Sequence, residues 1–217
     1  ICEHKGHHFF VPQISYKADT APKQVNHHLI ERSKENVMLP FVKTYLNDMK
    51  IRWDFQPRVV YDIGASCLHW TNMAKEIWHD TKFIAFDALE EYKDVYDYYG
   101  VDYAITLLSK EKEIRTFHTN VEHPAGGSMY IEKDHKELYH DHRQMGAMTL
   151  DELVKLNDFP MPDMIKIDVQ GAEKEVLQGA VETLKSVQHI IVEVQSEEYN
   201  EGAPLKKETF NYLDDIG

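Results

Sequence analysis

The sequence predicts an α/β fold: a Rossmann-like, mostly parallel sheet with helices on both faces, preceded by an N-terminal helical cover. Three observations lead there. From Arg58 onward short apolar runs alternate with stretches of helical spacing. Four of the apolar runs stop on an acidic residue, at Asp62, Asp87, Asp168 and Glu193. Repeated strand–helix–strand units require crossover connections, and those favour parallel pairing.

Residues 1–22 are polar, with His4, His7, His8 and Pro12, and read as an irregular arm. Over residues 25–49 the apolar residues Val25, Leu29, Val37, Phe41, Tyr45 and Met49 recur at helical spacing. Pro40 lacks an N–H and divides that stretch into two helices. An arm and helical cover therefore span 1–54, and the principal domain 55–217. Val59 to Ile63 reads as the first strand, ended by Gly64, with a helix over 72–78. A second strand covers 83–86, a helix 90–98 and a third strand 103–108. Residues 110–148 break the rhythm and read as an irregular insertion on the acceptor side of the site. It contains Ile114, His118, His123, a Gly126-Gly127-Ser128 turn and a histidine-rich loop. Rhythm returns with a helix over 149–156, a strand over 164–169, a helix over 172–184 and a strand over 190–194. The chain stops at a helix terminus, Asn211 to Gly217, where such a fold is expected to continue into an antiparallel hairpin.

With 217 residues, 42% hydrophobic and 28% charged, the chain can bury a core and stay in solution. The net charge of −13 argues against a nucleic-acid partner, because phosphate contacts supply most of such affinity. Neutral small molecules or sugars suit an acidic surface better. No apolar run approaches the roughly 20 residues of a membrane span, so no membrane partner is expected. Cys2 and Cys67 make neither a disulfide framework nor a zinc spacing. With no secretory signal visible, the expected location is the cytoplasm.

Ligands of open α/β sheets bind beyond the carboxyl ends of the strands, where strand order reverses. The first turn there is Asp62-Ile63-Gly64-Ala65-Ser66, in which Gly64 permits a tight turn and Ser66 is expected to cap the next helix. A dinucleotide needs further glycines so that the backbone can approach its pyrophosphate, yet Leu68 stands where one is expected. This argues against a nicotinamide-dependent oxidoreductase. S-adenosylmethionine has no phosphate, and its positively charged amino-acid end tolerates nearby carboxylates. Asp87 lies 23 residues after Gly64, close to the ~20-residue spacing of an acidic residue that accepts from ribose hydroxyls. Candidate cofactor-binding residues are Asp62, Gly64, Ala65, Ser66, Asp87, Ala88, Ser109 and Asp168. By the two-residue strand period Lys166 and Asp168 share a face and approach the transferable methyl; the plain alternative is a structural ion pair.

The segments VVYDIGAS, FIAFDA, TLDEL, MIKIDVQGAEKEVLQGA, IIVEV and YNEGAP, in this order over residues 58–204, resemble the FkbM-like methyltransferases. The resemblance implies a class I methyltransferase fold, S-adenosylmethionine as cofactor and methylation of a hydroxyl oxygen, with sugars and secondary metabolites as typical acceptors. Two residues depart from the family pattern: Leu68 replaces its second loop glycine, and Gln170 the glutamate of its KIDVEGAE-type block. They motivate a second reading, a catalytically silent cofactor-binding domain of the same fold. Because the chain starts at Ile1, not Met, it is also expected to be one domain of a larger glycan-modifying enzyme.

An alcohol must lose its proton to accept a methyl group, so a base or a metal is expected beside it. Asp168 is the first candidate, either as base or as a ligand to Mg²⁺ with Glu193. Its unperturbed pKa of about 3.9 makes it a weak base without help from burial or a metal. Lys166 is expected to orient Asp168 or the acceptor, and His118 or His123 supplies an alternative base. His140-Asp141-His142 has the look of a metal fragment but reads as solvated. Trp53, Trp70 and Trp78 read as packing residues.

Overall fold

The computed structural model describes residues 27–33, 40–120 and 124–216. The polar arm with His4, His7 and His8, together with His123, lies outside the described residues. Two helices come first, α1 (His27–Ser33) and α2 (Pro40–Arg52). Pro40 takes the first position of α2, where its missing N–H has no intrahelical acceptor to lose. Then follow β1 (Val59–Ile63), α3 (His69–Lys75), β2 (Lys82–Asp87), α4 (Lys93–Tyr99) and β3 (Asp102–Ile105). A two-residue strand, β4 (Leu107–Leu108), precedes the hairpin of β5 (Glu113–Asn120) and β6 (Tyr139–Met148). The remaining elements are α5 (Leu150–Asn157), β7 (Met164–Ile167), α6 (Glu173–Gln178), β8 (His189–Val192) and α7 (Lys206–Ile216).

Five strands form one parallel sheet in the order β3-β2-β1-β7-β8. Strand order reverses between β1 and β7, which opens the ligand crevice of this architecture above their carboxyl ends. Strand alternation divides the core in two. Val60, Ala85 and Met164 meet Leu46, Met49, Trp70 and Tyr96 on one face. Tyr61, Ile63, Ile84 and Ile165 meet Leu153, Val176, Leu177 and Leu213 on the other. Helices thus cover both faces, as expected for buried parallel strands.

Four local expectations are corrected. The run over 103–108 is not one strand: β3 stops at Ile105, the Thr106 N–H donates to the Asp87 carbonyl (2.6 Å), and Leu107–Leu108 pairs instead with β6. A continuous apolar run carries no mark of where the backbone changes partner. Residues 110–148 are not irregular but hold an antiparallel hairpin in a second, three-stranded sheet. Its strands are mostly half-exposed, so their apolar alternation is faint. The helix expected over 172–184 ends at Gln178 and resumes as a 3₁₀ turn, Thr183–Ser186. Finally, Ser66 does not cap α3; the cap position belongs to Leu68, which makes no side-chain cap bond.

Leu68 adopts φ +62°, the left-handed backbone that a glycine enters freely. A leucine there carries roughly 1–2 kcal/mol of strain. Its side chain is fully buried among the residues of the first core, which offsets the strain by about 2–3 kcal/mol. Leu68→Ala, which keeps the strain and empties the space, is expected to cost about 3 kcal/mol in urea unfolding. Leu68→Gly should be about 1 kcal/mol less harmful than Leu68→Ala, reversing the usual order of the two residues. A glycine variant less stable than the alanine variant would contradict the strain argument.

Candidate functional site at the carboxyl ends of the parallel strands

The floor of the crevice is a charged pair between neighbouring strands. Asp62 of β1 and Lys166 of β7 are register partners, and both point toward the face covered by α3. Asp62 is fully buried; the Thr71 hydroxyl donates to its Oδ2 at 2.6 Å, and Lys166 Nζ lies 3.2 Å from its Oδ1. Lys166 Nζ also lies 3.5 Å from Asp168 Oδ2 and donates to the Gly64 carbonyl at 3.1 Å. Burial alone would lower the lysine pKa, but the charges of Asp62 and Asp168 outweigh it and raise it, so the ammonium persists.

Gly64 forms the turn above this pair, at φ +71°. A Cβ built there would stand 1.7 Å from the Asp168 carbonyl oxygen, so the β1 turn and the end of β7 approach closely only with glycine. The N–H groups of Gly64 and Ala65 donate to the Phe86 carbonyl, which ties the same turn to β2. Asp87, at the end of β2, accepts from the N–H of Ser66 (2.9 Å) and of Leu89 (3.0 Å). Burial pushes its carboxyl up to about 6, against the lowering effect of those N–H groups. Ser66 therefore serves the site through its backbone, by holding Asp87.

A narrow cleft opens beside Asp87 and Ala88, walled by Phe86, Leu89, Tyr92, Leu107, Phe117 and Met129. It meets a cavity of about 440 Å³ lined by His69, Trp70, Lys166, Gln170, Ile191 and Glu193, and Gly64, Ser66 and Asp168 border both. Asp168, at their junction, is in hydrogen-bond contact with a second carboxyl, Glu193 of the larger cavity. Burial would raise Asp168, but the Lys166 ammonium and hydrogen bonds from Glu193 and Gln170 hold it below the usual carboxylate range. Gln170 Nε2 donates to Asp168 Oδ1 at 2.7 Å. Glu193 is exposed to the cavity and is pushed up to about 7, first by the charge of Asp168 and then by burial. One carboxyl is thus ionised and anchored, while its neighbour titrates near neutrality.

The loop carrying Gln170 is held from below by Glu173, whose Oε1 accepts the N–H of Val169 and of Gly171, both at 3.0 Å. Burial pushes the Glu173 carboxyl up to about 7.

Asp62, Gly64, Ala65, Ser66, Asp87, Ala88, Lys166, Asp168 and Glu193, all expected from the sequence, thus gather around the switch point. Two expected residues stand elsewhere. His118 lies on β5 with its Nδ1 2.8 Å from Nδ1 of His142, and it lines neither cavity. Its neighbour Phe117 does so instead. Ser109 is buried, and its hydroxyl donates to Glu113 (2.6 Å) and Glu175 (3.3 Å). There it joins Arg115 and Tyr130, which also bond Glu175 and fasten the hairpin to α6. Glu173, Trp70 and Met129 were not expected at the site; Glu173 alone had a signal, lying inside the 164–180 block. Among the described residues no three His, Cys, Asp or Glu side chains converge as a metal-binding group, so the Mg²⁺ expectation at Asp168 and Glu193 finds no third ligand. No described helix is long and apolar enough to cross a membrane.

Residues 59–217 match the family model of the methyltransferase FkbM domain. A stretch of 56 residues is 43% identical to the hexuronic acid methyltransferase AglP of Haloferax volcanii. That stretch is 24% of this chain and 23% of the relative, so the similarity spans about a quarter of each. Among solved structures, a precorrin-6y C5,15-methyltransferase from Geobacter metallireducens superposes with a TM-score of 0.45 at 16% identity, over 85% of this chain and 75% of that one.

The raised carboxyl of Glu173 has a consequence for stability. A folded-state pKa above the unfolded value means that the native protein binds the extra proton. Its contribution is complete below about 4.5 and is lost as pH rises through about 7. Glu173→Gln keeps an oxygen for the two N–H groups but cannot ionise. This variant should remove roughly 3 kcal/mol of pH-dependent stability loss across that window. Urea midpoints from pH 4.5 to 8 test this; parallel curves for the two proteins would contradict it.

Proposed function

The chain belongs to the FkbM methyltransferase family, and from that premise we propose that it methylates a hydroxyl oxygen of a sugar or related polyhydroxylated molecule with S-adenosylmethionine. The observation that carries this reading is the Asp168–Glu193 pair at the switch point, with one carboxyl ionised and the other titrating near neutrality.

The residues present fit the cofactor. The close approach at Gly64 leaves no room for a side chain, Asp87 is an oriented acceptor suited to ribose hydroxyls, and the cleft beside Ala88 is apolar enough for a flat base. Acidic groups around the turn suit the cationic end of the cofactor, whereas a pyrophosphate would meet no glycine-rich loop there. When bound, S-adenosylmethionine supplies an electrophilic methyl group on a positively charged sulfur.

The protein has to orient the acceptor oxygen and take its proton. Glu193 is suited to that proton, because a base titrating near the working pH is ionised and still binds a proton well. Asp168 is too firmly held by Lys166 and Gln170 to compete for it, and it serves to raise and orient Glu193. The two departures from the family pattern sit comfortably in this scheme. Leu68 keeps the left-handed turn that a glycine would adopt, and Gln170 gives Asp168 a hydrogen-bond donor.

Calorimetric titration with S-adenosylhomocysteine is expected to give micromolar binding. Methyl transfer should rise with pH through an apparent pKa near 7. Glu193→Gln should keep that binding and lose about 10²–10⁴-fold in turnover. Full turnover in this variant would overturn the assignment of the base, and absence of binding would overturn the cofactor.

A further inference from the structure

A second cavity of about 520 Å³ opens beyond the ends of β7 and β8, bordered by Glu193 and sharing no lining residue with the cleft at Asp87. Gln170 and Glu193 line both this cavity and the one holding Asp168, so the two adjoin. From its position and lining we infer that this cavity receives the methyl acceptor, and that the acceptor is a sugar bearing neither carboxylate nor phosphate. The inference rests on the methyl-transfer reading above.

Position comes first. The apolar cleft at Asp87 is bordered by Asp168 and the 520 Å³ cavity by Glu193, the two members of the carboxyl pair, and no lining residue is common to both spaces. A donor on one side and an acceptor on the other would meet over the carboxyl that takes the proton. The volume falls within the range of ordinary small-molecule sites.

The walls are built in advance. Gln195 Oε1 accepts the N–H of Tyr199 (3.0 Å) and of Asn200 (2.8 Å), while its Nε2 donates to the Ala203 carbonyl (3.0 Å). Asn200 is buried and donates from Nδ2 to the Gln170 carbonyl at 2.7 Å. These bonds fix the segment after β8 against the loop after β7. Tyr199 stands at the rim with 54% of its surface exposed, and its hydroxyl is engaged by Glu132. An aromatic ring held by its hydroxyl end and open on its body offers a platform for the C–H face of a sugar. Glu197 and Ser196, both exposed along the wall, offer hydrogen bonds to sugar hydroxyls.

Charge then selects the class. Among the described residues lining these two cavities, Lys166 is the only lysine or arginine, and its ammonium is held by Asp62 and Asp168. Asp168, Glu173, Glu193 and Glu197 line the same space. A uronate or a sugar phosphate would bring a further negative charge among carboxyls with no free cation to receive it, which is the arrangement that rejects such ligands. The Haloferax volcanii relative is named for a hexuronic acid; the cavity of this chain favours an uncharged or amino-bearing sugar.

The test is methyl transfer from S-adenosylmethionine to methyl glycosides of several hexoses, each offered in neutral, 2-amino and uronic forms, with product detected by mass. Calorimetric binding of S-adenosylhomocysteine is measured alongside. The neutral and amino forms should exceed the uronic forms by about 100-fold in kcat/KM. Tyr199→Ala should raise KM by about tenfold without changing S-adenosylhomocysteine affinity, and Glu197→Lys should narrow the discrimination by about tenfold. Uronates methylated as well as neutral sugars, or an unchanged KM in Tyr199→Ala, would overturn the inference and leave the methyltransferase reading standing. S-adenosylhomocysteine bound with no sugar methylated would overturn the sugar acceptor itself. Absence of S-adenosylhomocysteine binding would overturn the reading beneath both.

Discussion

One buried ammonium organises the crevice. Lys166 Nζ touches Asp62, Asp168 and the Gly64 carbonyl, and so joins β1, the turn after it and the end of β7 at the point where strand order reverses. Desolvating such a charge costs several kcal/mol, and the cost is recovered only when partners surround it closely. Here two carboxylates, a carbonyl and the Thr71 hydroxyl on Asp62 complete the cluster. The cluster therefore demands one backbone arrangement. Gly64 has to approach the Asp168 carbonyl, and Asp168 has to direct a carboxyl back over the strand ends.

The distribution of protons follows from that demand. Lys166 and Gln170 hold Asp168 ionised, and the charge so fixed is the first reason that Glu193 keeps its proton toward neutrality. Two adjacent carboxyls cannot both ionise cheaply, so anchoring one of them poises the other. A glutamate at position 170 would put a third carboxyl against Asp168, where Gln170 now donates a hydrogen bond. The amide thus sharpens the difference between the two carboxyls. It removes a competing acid and strengthens the ionised partner.

How far this was legible in the sequence depended on burial. All five residues of β1 are buried, and its apolar run ending on Asp62 was readable at once. In β2 the run from Phe83 to Phe86 is buried, and so is all of β7, so the acidic residues that close these runs could be located by pattern alone. The hairpin is half-exposed and its pattern is faint, so the sequence does not show which of its residues face the cleft. His118 and Phe117 are adjacent, and strand alternation sends them to opposite faces; polarity favoured the histidine, whereas the cleft wall is the phenylalanine. Ser109 stands apart from the cleft for a related reason. It follows a strand end, but that strand had already left the main sheet at Thr106, and its hydroxyl turned toward Glu113 and Glu175. Leu68 stands where the sequence reading expects a glycine. Its backbone adopts the left-handed conformation that glycine enters freely, which no sequence pattern records.

The two halves of the crevice are made by different means. The side bearing Asp87 is assembled from strand ends and their first turns, so short segments specify most of it. The opposite side is assembled by side chains that bind distant backbone: Ser128 and Asn200 both donate to the Gln170 carbonyl, from 42 residues before it and 30 after. The halves meet at residues 170 and 171, with φ of +54° and +104°. Gln170 is held in a left-handed backbone that costs roughly 1 kcal/mol. Its carbonyl collects the hairpin and the segment after β8, while its side chain reaches Asp168. A single strained residue thereby couples the shape of one cavity to the charge in the other. The geometry of that coupling depends on tertiary contacts, which is why the sequence marked Gln170 as a departure without revealing its purpose.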